Sequence, residues 1–195
     1  ASGDAMFLLG SISKPINVTA VMTLFDHGKF QLDDRVKKYL PAFVGDGRDQ
    51  VTILHLLTHT SGLPDQVANN NQLRKQNAPL TEFAERTIRT ALDFVPGSRY
   101  QYSSMGILLA ARVAEVISGT DILTLVDKAV FQPLSMKHSA QGLGRFKLED
   151  MVPCQTEGAA PESGGGDPKA RGWDWNSPYW RRLGAPWGGT HASAP

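Results

Sequence analysis

The sequence predicts a predominantly helical globular unit with very little sheet. Three observations carry this. Apolar residues recur at helical spacing through most of the first 150 residues, period-two alternation is nearly absent, and Gly and Pro crowd into the C-terminal quarter. At 195 residues, with 41% hydrophobic and 20% charged residues, the chain has the length and composition to bury one ordinary core.

The elements follow in order. Ile12 to His27 carries Ile16, Val18, Val21, Met22 and Phe25 as a helical stripe, ended by Gly28. Leu32-Asp33-Asp34 reads as a turn and cap before a short helix that stops near Tyr39-Leu40-Pro41. Val51 to Thr58 is a short helix with Thr52 as N-cap, and Thr81 to Asp93 is another, capped by Thr81. Ser104 to Ser118, closed by Gly119, is the most apolar segment. Its Ile107, Leu108, Ala111, Val113, Ala114 and Ile117 cover much of the circumference, which places it at the centre. Asp121 to Phe131 is a capped helix stopped by Pro133.

The composition then changes. Residues 153–195 hold eight Gly and six Pro among 43 positions, together with all four Trp (Trp173, Trp175, Trp180 and Trp187). Such a segment forms loops rather than regular elements, yet four indoles are costly to leave in water, so it is expected to be ordered against something. Gly164-Gly165-Gly166 is its expected flexible point. The chain therefore reads as a helical region over residues 1–152 and a Gly/Pro/Trp-rich loop segment over 153–195 of the same domain. The Trp residues either wall the cleft or cover the helical core.

Charge and cysteine content narrow the function classes. Twenty basic against nineteen acidic residues leave a net charge of +1, which argues against nucleic acid as a partner. Uncharged runs such as Pro15 to Phe25 and Tyr100 to Ala111 are too short for a membrane span. The single Cys154 rules out an internal disulfide framework and a Cys-rich metal site.

Three constellations could carry chemistry. Ser11 and Lys14 sit one turn apart at a helix start, so an amine comes within reach of a hydroxyl that needs a base to become a nucleophile. Alone the pair is weak, since about 0.6 such pairs arise by chance in a chain of this composition. Tyr102-Ser103-Ser104 opens the apolar helix after the Pro96-Gly97 turn, as a proton-relaying phenol or simply a capped, packed helix start. His55 and His59, four apart, could ligate zinc. However, Leu56 stands where the zinc motif carries Glu and no spacing supplies a third ligand, so helix-end His residues bonding backbone is the simpler reading.

Order and spacing together add a resemblance. Phe7-Leu-Leu-Gly-Ser11-Ile-Ser-Lys14, Leu24-Phe-Asp-His-Gly28, Val51 to Pro64 with its His59-Thr-Ser-Gly62 turn, and Tyr102-Ser-Ser104-Met-Gly106 stand in the order of the serine β-lactamase-like family. That family comprises class C β-lactamases, D-Ala-D-Ala carboxypeptidases and related esterases. The resemblance runs over at least Phe7 to Leu134, and Gly184 to Gly189 is similar as well. It implies an α+β fold of the β-lactamase/transpeptidase type. It also implies Ser11 as acyl-accepting nucleophile, Lys14 as its base, Tyr102 as proton shuttle to the leaving group, Ser104 as a substrate-binding residue, and the Ser11 N–H as an oxyanion donor. It implies no metal or cofactor, a small ester, amide or peptide substrate, and an exported or periplasmic location.

The chain departs from the pattern twice. Ser104 stands where the family often has Asn, which weakens the expected grip on an amide and favours an esterase-like hydrolase. The closing Lys/His–Thr/Ser–Gly triplet is absent: His59-Thr-Ser, His138-Ser-Ala and His191-Ala-Ser all fail at the third position. The expectation is thus a fragment, mostly the helical region with the antiparallel sheet largely missing and an exposed apolar face where that sheet packs. The alternatives are a split enzyme completed by a second chain, or a catalytically silent member that binds peptidoglycan or a protein partner.

Overall fold

The computed structural model describes residues 3–193. Its elements are β1 (Phe7–Leu8), α1 (Ser13–Asp26), α2 (Ile53–Leu57), α3 (Asn70–Lys75), α4 (Leu80–Ile88), α5 (Ser104–Ser118), α6 (Ile122–Val126), β2 (Ser139–Gln141), α7 (Pro178–Leu183) and β3 (Thr190–Ala192). No helix among the described residues is long and apolar enough to cross a membrane.

Helix α5 is the axis of the molecule. Ten of its fifteen residues are buried, including an unbroken run from Ser104 to Ala111. Ser103 caps it by accepting the Gly106 N–H at 2.9 Å, and Gly119 ends it in the left-handed conformation. One side of α5 packs Leu109, Ala110, Val113 and Ala114 against Ala20 and Val21 of α1, Ile53 and Leu56 of α2, and Val126 and Phe131. The other side packs Met105 and Leu108 against Phe83 and Ala84 of α4, Leu73 of α3, and Trp180 and Trp187. A helix apolar nearly all round is the expected product of burial on both sides.

The caps of α2 and α6 follow the sequence. Thr52 accepts the His55 N–H, and the His55 ring accepts the Thr52 N–H in return. Asp121 accepts the Thr124 N–H, and α6 runs on through a π-helical turn, Asp127–Phe131.

Two helices differ from expectation. Helix α4 starts at Leu80 after Pro79, not at a Thr81 cap, and ends at Ile88. Its continuation is diverted because the Asp93 N–H bonds the Gly62 carbonyl at 2.7 Å. In α1 the fully buried residues are Ser13, Lys14, Asn17, Ala20 and Val21, so only Val21 of the expected stripe is fully inside. The inward positions near the N-terminus are taken by polar side chains with buried partners, while Ile16 and Phe25 pack at the rim of the core.

The sheet is small and antiparallel, in the order β1-β3-β2. Phe7 faces Ala192 and Leu8 faces His191 on one side of β3, and Ser139, Ala140 and Gln141 face Ala192, His191 and Thr190 on the other. Strands of two or three residues cannot display an alternation, which is why none was legible. The exposed large apolar side chains are spread widely, with Phe7 and Ile12 flanking the start of α1 and Leu54, Val95, Val116 and Leu134 elsewhere.

The Gly/Pro/Trp-rich segment is fastened by two buried arginines. Arg74 stacks on Trp180 with its guanidinium carbon 4.0 Å from the ring centre and donates to the Glu162 carbonyl. Arg181 donates to the Trp175 and Val152 carbonyls at 2.7 and 3.1 Å, and to Asn176 Oδ1 at 3.0 Å. A guanidinium with five donors satisfies carbonyls that no helix or strand reaches. The Gly164–Gly166 triplet is a tightly packed turn rather than an open hinge: a Cβ on Gly164 would lie 2.7 Å from Asp174 Cβ, and one on Gly166 2.9 Å from Glu157 Cα.

Two predictions follow from this packing. Gly189 closes onto the 184–185 backbone, where a Cβ would lie 2.4 Å from the Ala185 nitrogen. Gly189→Ala is expected to lower unfolding free energy in urea by about 1–3 kcal/mol. His191 is fully buried with Nδ1 2.8 Å from the Gly142 carbonyl. Burial first, and the Arg181 charge second, hold its imidazole down at about 4, against the usual 6.5. The unfolded chain takes up that proton first, so this group's stability is complete above pH 6.5 and falls away towards pH 4, by about 3 kcal/mol. His191→Gln should flatten the urea midpoint's dependence on pH across that window.

Candidate active site

Ser11 lies in the 3-10 turn Gly10–Ile12 that leads into α1, and it is exposed. The turn is anchored by β3: the Leu9 N–H donates to the Thr190 carbonyl, and the Thr190 N–H donates to Ser13 Oγ, both at 2.9 Å. One turn into α1, Lys14 is only 5% exposed. Its Nζ donates to Ser11 Oγ at 3.1 Å and to the Trp187 carbonyl at 2.9 Å.

Tyr102 approaches from the other side. Its hydroxyl donates to Ser11 Oγ at 2.9 Å, and its ring centre lies 4.6 Å from Lys14 Nζ. Three groups that are far apart or one turn apart in sequence therefore converge on one hydroxyl oxygen. The arrangement can withdraw a proton from Ser11 and return one to a neighbouring atom.

A buried polar network supports this centre. Asn17 Nδ2 donates to the Ser13 carbonyl at 2.8 Å and to Gln141 Oε1 at 3.0 Å. Thr190 Oγ1 donates to the same Gln141 oxygen, and Gln141 Nε2 donates to the Gly184 and Ala185 carbonyls. Nothing in the sequence signalled Asn17, Gln141, Thr190 or the Trp187 carbonyl. The Gly184–Gly189 loop is part of the family resemblance, but its role as a floor under Lys14 is set by the fold.

The other candidates are held by backbone hydrogen bonds. Ser104 is 2% exposed, and its N–H donates to Asp65 Oδ1 at 2.8 Å. His55 Nδ1 serves the α2 cap, and His59 Nδ1 accepts the Ser103 N–H at 3.2 Å. No group of three or more His, Cys, Asp or Glu able to hold a metal occurs among the described residues. In the Trp segment, Trp180 and Trp187 fill the core against α5, and the Trp187 carbonyl accepts from Lys14.

His55 and His59 are both held below the usual histidine range. For His55 the cause is burial, then the Arg35 charge. For His59 it is burial, then the Lys14 charge, with the Ser103 backbone and then Asp65 pulling the other way.

Comparisons with known proteins bear on the family and the fold. A family model described as Beta-lactamase matches residues 1–195. Esterase EstB of Burkholderia gladioli is 37% identical over 149 residues, covering 69% of this chain and 38% of the esterase. Penicillin-binding protein 4* of Bacillus subtilis (strain 168) is 31% identical over 140 residues, covering 70% of this chain and 30% of that protein. The chain thus spans about a third of the length of these relatives. Among solved structures, D-amino acid amidase from Ochrobactrum anthropi SV3, complexed with L-phenylalanine, shares the fold with a TM-score of 0.78. Its identity is 22%, over 99% of this chain and 55% of the amidase. A mostly helical body with a three-stranded antiparallel sheet is consistent with part of that fold. With the match running from end to end, the chain belongs to the Beta-lactamase family.

Proposed function

We propose that this chain carries the nucleophile-bearing part of a serine hydrolase that acts through an acyl-enzyme on small esters or amides, with esters favoured. The observation that carries the reading is the convergence of Lys14 Nζ and Tyr102 Oη on Ser11 Oγ, at 3.1 and 2.9 Å. Two further facts support the ester preference: Ser104 in place of the family's usual Asn, and a 37% identical relative named as an esterase.

In this reading Ser11 Oγ attacks the substrate carbonyl while its proton passes to the Lys14 amine. The tetrahedral oxyanion is met by the Ser11 N–H. As the intermediate collapses, the Tyr102 hydroxyl protonates the departing alcohol or amine and is itself reprotonated from Lys14. Water then attacks the acyl carbonyl, gives up a proton to the same pair and releases the acid, and Ser11 regains its hydrogen. Lys14 is suited to this shuttle because Ser11 Oγ, the Tyr102 ring and the Trp187 carbonyl fix its amine in a largely dry site.

A fluorophosphonate probe is expected to add one equivalent of mass to the protein, located on Ser11 by peptide mapping, with no addition in Ser11→Ala. Absence of labelling while a control hydrolase reacts would overturn the reading. Turnover of a chromogenic ester should fall to background in Ser11→Ala, and by about 100- to 10,000-fold in Tyr102→Phe and Lys14→Met. Retained turnover in Tyr102→Phe would remove the phenol from the proton path.

A further inference from the structure

Tyr102 stands on a stretch of chain with no helix or strand to fix it. Residues 99–103 precede α5 as open backbone, and the side chain is 39% exposed. A phenol that must meet one oxygen atom needs another support, and the turn over residues 58–65 supplies it. The Gln101 N–H donates to the His59 carbonyl at 2.9 Å, and the Ser103 N–H donates to His59 Nδ1 at 3.2 Å. His59 therefore grips the backbone immediately before and immediately after Tyr102. Ser103 Oγ donates to the Pro64 carbonyl at 2.9 Å, and the Ser104 N–H to Asp65 Oδ1 at 2.8 Å, which completes the clamp.

The His59 ring also packs on the phenol itself. The two ring centres are 4.8 Å apart with the planes inclined at 38°, and Tyr100 meets the far side edge-on at 5.9 Å. Serving both roles places His59 at φ +58°, a left-handed conformation that a non-glycine residue adopts at a cost. That strain lets one residue offer its carbonyl and its ring nitrogen to the same neighbouring strand of chain.

Resting on the acyl-enzyme reading above, we propose that His59 is the positioning residue for Tyr102, and that its unprotonated imidazole holds the phenol over Ser11 Oγ. The groups facing it are Lys14 from α1, Asp65 from its own turn, and Tyr100, Tyr102 and the Ser103 N–H from the segment before α5. A ring nitrogen that accepts a backbone N–H cannot also carry a proton. Burial and then the Lys14 charge hold the ring below the usual histidine range, opposed by the Ser103 backbone and then by Asp65. As pH falls below the usual histidine range, protonation removes this acceptor and loosens Tyr102, while the other three bonds of the clamp remain.

Three variants of the full chain test this, read by ester turnover and by the 13Cζ resonance of Tyr102. His59→Gly accepts the left-handed backbone and so keeps the fold. It is expected to lower kcat about tenfold or more with KM changed less than about twofold. Introduced into Tyr102→Phe, the same change should alter kcat less than about twofold, because its partner is already gone. In His59→Asn the carboxamide oxygen replaces Nδ1 as acceptor and tolerates the same φ, so kcat should return to within about threefold of the parent. The parent's Tyr102 resonance should shift with the same midpoint as the acid limb of kcat, and both should disappear in His59→Asn. Equal losses with and without the phenol, or a Tyr102 resonance indifferent to His59 and to pH, would overturn the proposal. Failure of the acyl-enzyme reading is distinguished by Ser11→Ala retaining turnover, since the Tyr102 resonance reports on His59 whatever Ser11 does.

Discussion

Lys14 places an amine almost entirely inside the protein, and an amine taken from water must find partners. Its partners are Ser11 one turn before it, the face of Tyr102, and the Trp187 carbonyl. The last is 173 residues away. Much of the remaining architecture exists to bring those groups to one place. The Gly184–Gly189 loop is folded so tightly that Gly189 has no room for a side chain, and that turn aims the Trp187 carbonyl at Lys14. Gln141 ties the loop to α1 through Asn17 and to β3 through Thr190.

The two apolar clusters on either side of α5 give this polar junction its rigidity. Trp187 belongs to one of them, packed against Phe83 and Trp180, so its carbonyl is carried by a core residue rather than by a free loop. Ala20 and Val21 belong to the other and hold the body of α1, which fixes the angle at which Lys14 leaves the helix. Tyr102 is two residues ahead of the same α5 that both clusters share, and the 58–65 turn sets its last few ångströms. A site assembled this way is pre-organised by packing already needed for stability.

The long elements were legible because their signals are local. The apolar density of Ser104–Ser118 and its closing Gly119 gave the central helix with its bounds, and Thr52 and Asp121 gave two caps. Ser11, Lys14 and Tyr102 were legible as a set through the order of their motifs, and the structure brings the three together. Elements decided by distant partners were not legible. Strands β2 and β3 are too short to show a period and exist through their pairing with each other. Helix α4 ends early because Asp93 bonds Gly62. The inward face of α1 carries Ser13, Lys14 and Asn17, which no hydrophobic pattern would assign to an interior.

The sequence by itself marked Ser11, Lys14 and Tyr102 as candidates through the order of their motifs, while local signals set Lys14 one turn from Ser11 and started a helix just after Tyr102. It also placed α5 at the centre, because its apolar residues cover much of the circumference. Tertiary structure alone decided how those residues are supported: the Trp187 carbonyl under Lys14, the bracket of His59 around Tyr102, and the burial of Ser104. The physical reason is that a backbone carbonyl, a left-handed φ and a side chain's exposure are not properties of residue type. They come into being when segments 40 to 170 residues apart are packed together and each buried polar group has to find its partner.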